Sequence, residues 1–359
     1  QEKHITDKIK ESYPFVDILF GTHTLYRFPE DLYNSIQEKR KIEDIIDIDG
    51  EIHEGLPIKR DSKIKASVTI MNGCNNFCAY CIVPYVRGRE RSREPKDIIE
   101  EVEQLAKQGY KEITLLGQNV NSYLRVEREK NIPFAKYNGV DSFAKLLREI
   151  NKIDGIERIR FVSPHPKDFT DDVIEAIAEC DKVCKLIHLP LQSGNTKVLK
   201  VMNRKYTKEQ YLDLVEKMKA KIPNLTLSTD IIVGFPGETE EEFNKTYKFL
   251  ENIKFYKMHI FKYSQRKGTK AAEMPEQISP EEKEKRSKKL IELSDKNEEE
   301  YNKKYIGKTV EVLWEEEKQG TYKGHTKNYV LVESNSKHQE NMLEQVVIKE
   351  ATKHHVIQM

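Results

Sequence analysis

The chain of 359 residues reads as an α/β protein, a series of strand–helix units forming a parallel sheet, with a small antiparallel β-barrel after it. Three observations predict this. Between residues 63 and 263, apolar strand patterns alternate with amphipathic helix patterns, the signature of βαβ units. After Tyr305 the pattern changes to short alternating strands divided by Gly307, Gly320 and Gly324. The first strand of the series runs into a cysteine-rich loop opened by Gly73, at the strand end where such folds place their chemistry.

Taken in order, 16–21 reads as a strand and 25–37 as a helix, without a domain around them. Residues 38–62 are charged and irregular with a Gly-Leu-Pro break, which predicts a linker. The strand 67–71 precedes the cysteines. The helix from about 95 to 108 carries Ile98, Ile99, Val102, Leu105 and Ala106 on one face, with Pro95 near its start and Gly109 as its stop. Strand 112–116, helix 142–150, strand 158–162, helix 170–179, strand 183–189 and helix 208–221 continue the series. Strand 225–233, helix 240–252 and strand 255–263 complete it. Residues 280–304 form one charged helix with few apolar positions (Leu290, Ile291, Leu293), expected to be a solvated helix docked along an edge. Strands at 309–314, 321–324, 329–332 and 344–348 build the terminal barrel.

Charged residues make up 34% of the chain, yet the formal net charge is only +1, so no global field announces a nucleic-acid partner. No run of 18 apolar residues occurs, and a cytoplasmic protein with no membrane partner is the expectation. Five cysteines are too few for a disulfide framework. Three of them, Cys74, Cys78 and Cys81, stand in the spacing CxxxCxxC. Three thiolates can hold three corners of a [4Fe–4S] cube and leave the fourth iron free for a substrate or cofactor. A structural zinc site is the alternative, but zinc normally takes four closed ligands from paired knuckles, and His165 and His188 stand far from the motif. Cys180 and Cys184 bracket a helix end and a strand start, which predicts free buried thiols.

The longer run CNNFCAYCIVPYVRGRERSR, 74–93, resembles the radical S-adenosylmethionine (SAM) enzymes and, among them, the methylthiotransferases. The segments GTHTLYRFPEDL, LLGQNVNSY, SPHPKDF, HLPLQSGNTKVLKVMNR, STDIIVGFPGETEEEF and FKYSQRKGTKAA are similar to the tRNA branch of that family. The likeness implies a partial (βα)6 radical SAM barrel and a C-terminal TRAM domain, an OB-like RNA-binding module. It divides the chain into a remnant of the N-terminal methylthiotransferase domain with its linker (1–58), a radical SAM core (59–299) and the TRAM domain (300–359). It implies a [4Fe–4S] cluster on the three cysteines with SAM chelated at the open iron. A second [4Fe–4S] cluster is expected in the full-length protein, and with no cysteine before Cys74 its ligands are absent here, so the chain is expected to lack most of the N-terminal domain and to be incomplete for full turnover.

The resemblance also assigns roles. Tyr80 matches an aromatic position near the adenine. Gln192 and Ser193 follow the strand LIHLPL; Arg204 would pair with the methionine carboxylate through its planar fork. Asp230 resembles a position that bonds cofactor hydroxyls or the amine. Strand-end geometry adds Gly117, where the backbone could approach a ligand, with Gln118 and Asn119 beside it. Arg87, Arg89, Arg91 and Arg93 alternate at period two, so an extended segment would project all four to one side, toward RNA phosphates or a domain junction. His165 and His188 are expected to be satisfied, buried histidines.

The implied reaction adds a methylthio group to C2 of N6-isopentenyladenosine at position 37 of tRNA, with the anticodon stem-loop, an electron donor and a sulfur donor as partners. Methylthiolation of threonylcarbamoyladenosine tRNA or of a ribosomal-protein aspartate is the runner-up. A zinc-stabilised RNA-binding protein without catalysis is the reading from another class.

Overall fold

A computed structural model describes residues 2–46, 52–55, 58–135 and 137–358; Leu56 and Pro57 of the expected break lie outside them. The N-terminal part begins with α1 (Glu2–Ser12), an element the sequence reading did not anticipate. Strand β1 (Ile18–Phe20), helix α2 (Phe28–Glu38) and β2 (Ile42–Asp44) follow, and β1 pairs with β2 in parallel. The region expected to be a linker therefore contains a strand.

The next elements are β3 (Lys65–Thr69), β4 (Met71–Asn72), the single turn α3 (Val83–Val86), β5 (Arg91–Ser92) and α4 (Pro95–Lys107). Then come β6 (Glu112–Leu116), α5 (Arg125–Glu129), α6 (Phe143–Asn151), β7 (Arg158–Phe161), α7 (Asp171–Glu179) and β8 (Leu186–His188). Helices α8 (Thr196–Val201) and α9 (Lys208–Lys221), strand β9 (Thr226–Val233), α10 (Glu240–Ile253), β10 (Lys257–Lys262) and α11 (Pro280–Lys303) complete the core. Ser142, Thr170, Asn195, Thr207, Thr239 and Ser279 cap their helices by accepting a backbone N–H, which fixes where each helix starts.

Strands β3-β6-β7 and β8-β9-β10 form two parallel sheets, joined by a parallel bridge between Ile159 and Val183. Six strands thus curve into the partial barrel. Alternation decides what faces where. Val68, Ile113, Leu115, Ile159, Ile187 and Ile231 are fully buried and pack outward against the helices. Lys65, Glu112, Arg158, Arg160, His188, Ser228, Asp230 and His259 have the opposite parity and line a polar lumen. Ser294 of α11 bonds the backbone of Met258 and so covers the free edge of β10. The helix is more than a solvated rod: Arg286, Leu290, Leu293, Ser294, Asn297 and Glu298 are buried, whereas Ile291 is exposed. Arg286 pairs with buried Glu238 at 2.8 Å, and Glu238 also accepts the Gly234 N–H.

The C-terminal strands are β11 (Thr309–Lys318), β12 (Thr321–Thr326), β13 (Leu331–Ser334), β14 (Leu343–Val347), β15 (Glu350–Ala351) and β16 (Val356–Gln358). They form one curled sheet in the order β14-β11-β12-β13-β16-β15. It departs from the expected all-antiparallel barrel at one place, because β13 and β16 run parallel. Trp314, Val312, Val330, Val332 and Val356 fill its core, together with Tyr256 from the residue before β10.

This sheet closes the floor of the large barrel. Arg158 donates to the His325 carbonyl at 2.8 Å, and Tyr329 donates to the fully buried Glu112 carboxylate at 2.8 Å. The Arg160 guanidinium lies 3.4 Å from the centroid of the Tyr329 ring, and Lys65 pairs with Glu315 at 2.7 Å. No described helix is long and apolar enough to cross a membrane. Because Glu112 depends on a phenol from the other sheet, Tyr329→Phe is expected to destabilise the fold by about 1–3 kcal/mol, the cost of an unsatisfied buried acceptor. Urea denaturation followed by circular dichroism checks this.

Candidate functional site

The cysteine loop begins where β4 ends. Gly73 is at φ +75°, and a Cβ there would come 2.0 Å from the Arg89 carbonyl oxygen, so only glycine lets the two arms of the loop meet. The Cys74 N–H donates to the Gly88 carbonyl at 3.2 Å, and Cys81 N–H to the Cys78 carbonyl at 2.9 Å. Phe77 takes φ +48°, a strained conformation held by its neighbours. Asn203 donates to the Phe77 carbonyl at 2.7 Å, and the Met202 carbonyl accepts the Ala79 N–H at 2.9 Å. The chain just after α8 therefore clamps the loop.

Arg204 completes the clamp. Its buried guanidinium donates to Cys78 Sγ at 3.4 Å, to the Pro190 carbonyl at 3.1 Å and, through Nε, to the Tyr206 hydroxyl at 2.8 Å. Tyr80 is half-buried and meets Phe235 edge-on at 6.4 Å. Burial pushes its hydroxyl pKa well up, against the pull of the Arg204 charge. Gln192 takes φ +72°, and its N–H donates to the Asp230 carbonyl at 2.8 Å, so the β8 and β9 ends are tied here.

Other expected site residues are engaged elsewhere. Ser193 is fully buried with its hydroxyl 3.2 Å from that of Thr246 in α10. A Cβ on Gly117 would sit 2.6 Å from Met71 Cγ, so packing alone already demands glycine. Gln118 Oε1 is buried without a hydrogen-bond partner. The Asp230 carboxylate lies in the lumen, 3.2 Å from His188 Nε2. His188 is partly open to the lumen, unlike His165, which is buried and accepts the Lys167 N–H at 3.2 Å. Cys180 and Cys184 are free and buried in the core, with burial raising the Cys184 thiol to about 12. The four arginines do not share one extended segment, because Arg87 ends the α3 turn and Gly88 follows at φ +71°. Arg89 stacks on Phe77 at 4.5 Å, and Arg93 pairs with Glu54 and Glu101 and donates to the Thr69 carbonyl.

Sequence reading passed over the residue that anchors the loop from below. Glu90 is buried, and its carboxylate accepts the Asn75 N–H at 3.1 Å, the Asn119 amide at 3.1 Å and the Ser122 hydroxyl at 3.0 Å. Asn75 in turn accepts the Glu90 N–H at 3.3 Å, which makes the joint reciprocal. Asn119 continues to Asp168 at 2.8 Å, and Asp168 pairs with Arg125. The signal was an acid inside an otherwise basic run.

A family model described as the radical SAM superfamily matches residues 68–250. The chain is 53% identical over 315 residues to a tRNA-2-methylthio-N(6)-dimethylallyladenosine synthase of Acetivibrio thermocellus, covering 88% of this chain and 64% of the relative. It is 54% identical over 317 residues to the protein of that name from Clostridium tetani, covering 88% and 68%. The chain thus spans about two thirds of the length of these curated relatives. Among solved structures it is similar to the radical S-adenosylmethionine methyltransferase TsrM from Kitasatospora setae, with 18% identity, TM-score 0.46 and coverage of 57% and 38%. The chain belongs to the radical SAM superfamily and, within it, to the family of the tRNA-2-methylthio-N(6)-dimethylallyladenosine synthases.

The family's resident cofactors are a [4Fe–4S] cluster and SAM, and the residues fit them. Three thiolates from one loop leave a fourth position to be filled, which suits a [4Fe–4S] cube with SAM at its open iron better than a structural zinc closed by four protein ligands. Burial pushes the Cys74 thiol up to about 11 and raises that of Cys81, so thiolates here need cationic metal to offset desolvation. Asn76 Oδ1 within the loop and Gln118 Oε1 just after β6 are buried acceptors without hydrogen-bond partners, available to a ligand.

Two outcomes follow. Glu90→Ala is expected to lower the iron retained per chain after reconstitution and gel filtration several-fold, whereas Glu90→Gln, which keeps a carbonyl acceptor, retains more. Burial, aided by the Arg204 charge, holds the His165 pKa far below 6.5. The unfolded chain therefore takes up a proton that the folded chain refuses, and stability is lost as pH falls below about 6.5. The urea midpoint should drop between pH 7 and pH 5.5, and drop less in His165→Gln.

Proposed function

We propose that this chain is the radical-generating part of a tRNA methylthiotransferase acting at C2 of N6-isopentenyladenosine 37. The observation that carries the reading is the clamped loop of Cys74, Cys78 and Cys81 at the mouth of a six-stranded parallel barrel, with the Arg204 fork on Cys78. The identity to two synthases of that name supports the substrate.

When bound, the cluster and SAM supply one-electron chemistry strong enough to take hydrogen from an unactivated C–H. The protein groups do the rest. Cys74, Cys78 and Cys81 would hold the cluster, three thiolates for four irons. Arg204, already oriented by Tyr206 and Pro190, offers a planar cation near Cys78 for a carboxylate. Tyr80 with Phe235 forms an aromatic wall, Gln118 follows the end of β6, and Gln192 lies beyond β8, bridged to Ile231 of β9. The closed floor under the barrel keeps water from entering behind the site. In this reading residues 1–58, 59–299 and 300–359 are the N-terminal remnant, the radical core and the RNA-binding domain, and the protein works in the cytoplasm on anticodon stem-loops. Cys180 and Cys184 are free and buried in the core, and two thiols do not make the three ligands of a second cluster, so the sulfur source is assigned to neither of them.

Anaerobic reconstitution with iron, sulfide, reductant and SAM tests this. Formation of 5′-deoxyadenosine is expected, and it is abolished by Cys78→Ala, while methylthiolated tRNA does not accumulate with this chain alone. Undiminished cleavage in the cysteine variant would overturn the cluster assignment. Repeated tRNA turnover would overturn the division of labour, and modification of threonylcarbamoyladenosine instead would move the substrate.

A further inference from the structure

Three adjacent strands bring a second set of metal-ligating side chains into the lumen. His188 is the last residue of β8, Asp230 lies on β9 and His259 on β10. The register sets His188 opposite Ser228 and Asp230 opposite His259. Their outward neighbours Ile187, Ile231 and Met258 are buried in the core, so the three side chains face inward.

We propose that His188, Asp230 and His259 form a binding site for one divalent first-row transition-metal ion, distinct from the cysteine cluster. One ligand atom from each lies within 4.8 Å of the others. His188 Nε2 is already 3.2 Å from an Asp230 oxygen, and the His188 and His259 rings are 5.5 Å apart. Two imidazoles and one carboxylate on one side of an ion leave further positions open, an arrangement that suits iron(II), cobalt(II), manganese(II) or zinc(II). The ligand atoms need to close to about 3 Å of one another around an ion bound at 2.0–2.2 Å, which side-chain rotation supplies.

A second observation points the same way. His188 Nδ1 lies 3.0 Å from the Ser228 hydroxyl, so one ring nitrogen is held by a neighbour and the other is turned to Asp230. That is the arrangement by which proteins fix the orientation of a ligating histidine. The Asp295, Glu298 and His354 grouping at the outer surface differs, because Lys353 and Lys257 already neutralise its carboxylates.

The test uses the chain with its cysteine cluster reconstituted, so that the thiols are engaged. Cobalt(II) is titrated under anaerobic conditions and followed by calorimetry. One equivalent is expected to bind. His259→Ala and Asp230→Asn should each weaken binding at least 10-fold, Ser228→Ala about 10- to 100-fold, and His354→Ala should leave it unchanged. Asp230→Asn keeps the side-chain shape, and thermal melting of each variant separates lost ligands from lost fold. Absence of a saturable site, parental affinity in His259→Ala and Asp230→Asn, or loss of binding in His354→Ala would each overturn the assignment.

Discussion

Hydrogen bonds from the segment Met202-Asn203-Arg204 to the cysteine loop hold the site together. Three consecutive residues act on it: a carbonyl accepting from Ala79, an amide donating to Phe77, and a guanidinium donating to Cys78. A loop with Phe77 at positive φ would not keep that shape without such restraint. The segment itself is fixed by α8, whose start is set by the Asn195 cap and whose Val198 and Leu199 are buried. Local helix chemistry thus positions a metal loop more than 120 residues earlier in the chain.

Glu90 works from the opposite side. A buried carboxylate is costly unless its oxygens are bonded, and here backbone, amide and hydroxyl donors converge on it. The same network reaches Asp168 and Arg125, so loops after β6 and β7 share one electrostatic joint with the cysteine loop. Geometry at the cysteines therefore depends on charges that never touch them.

Much of this was legible in the chain. Short apolar runs such as ITLL and IIV, bounded by Gly117 and Gly234, read as buried strands, and the cysteine spacing marked the metal loop. Arg204 and Gln192 were found by resemblance, and the structure brings Arg204 onto Cys78. Long-range partnerships were not legible. Glu90 stands among arginines, and nothing local shows that its partners come from residues 75, 119 and 122. The terminal sheet read as a separate module, because nothing local shows that Tyr329 reaches Glu112 across 217 positions. The parallel pairing of β13 with β16 escaped for the same reason, since β16 is three residues long and draws its stability from its neighbours. The arginine alternation misled because Gly88 turns the backbone in the middle of the run.

The clamped loop is the seat of a four-iron cluster with one iron open to SAM. Electron paramagnetic resonance of the anaerobically reconstituted and reduced chain, with acid-labile sulfide measured on the same sample, tests it most directly. About four sulfides per chain are expected, with a reduced-cluster signal that shifts when SAM is added. A colourless protein containing one zinc and no sulfide would contradict it, and so would a cluster signal indifferent to SAM.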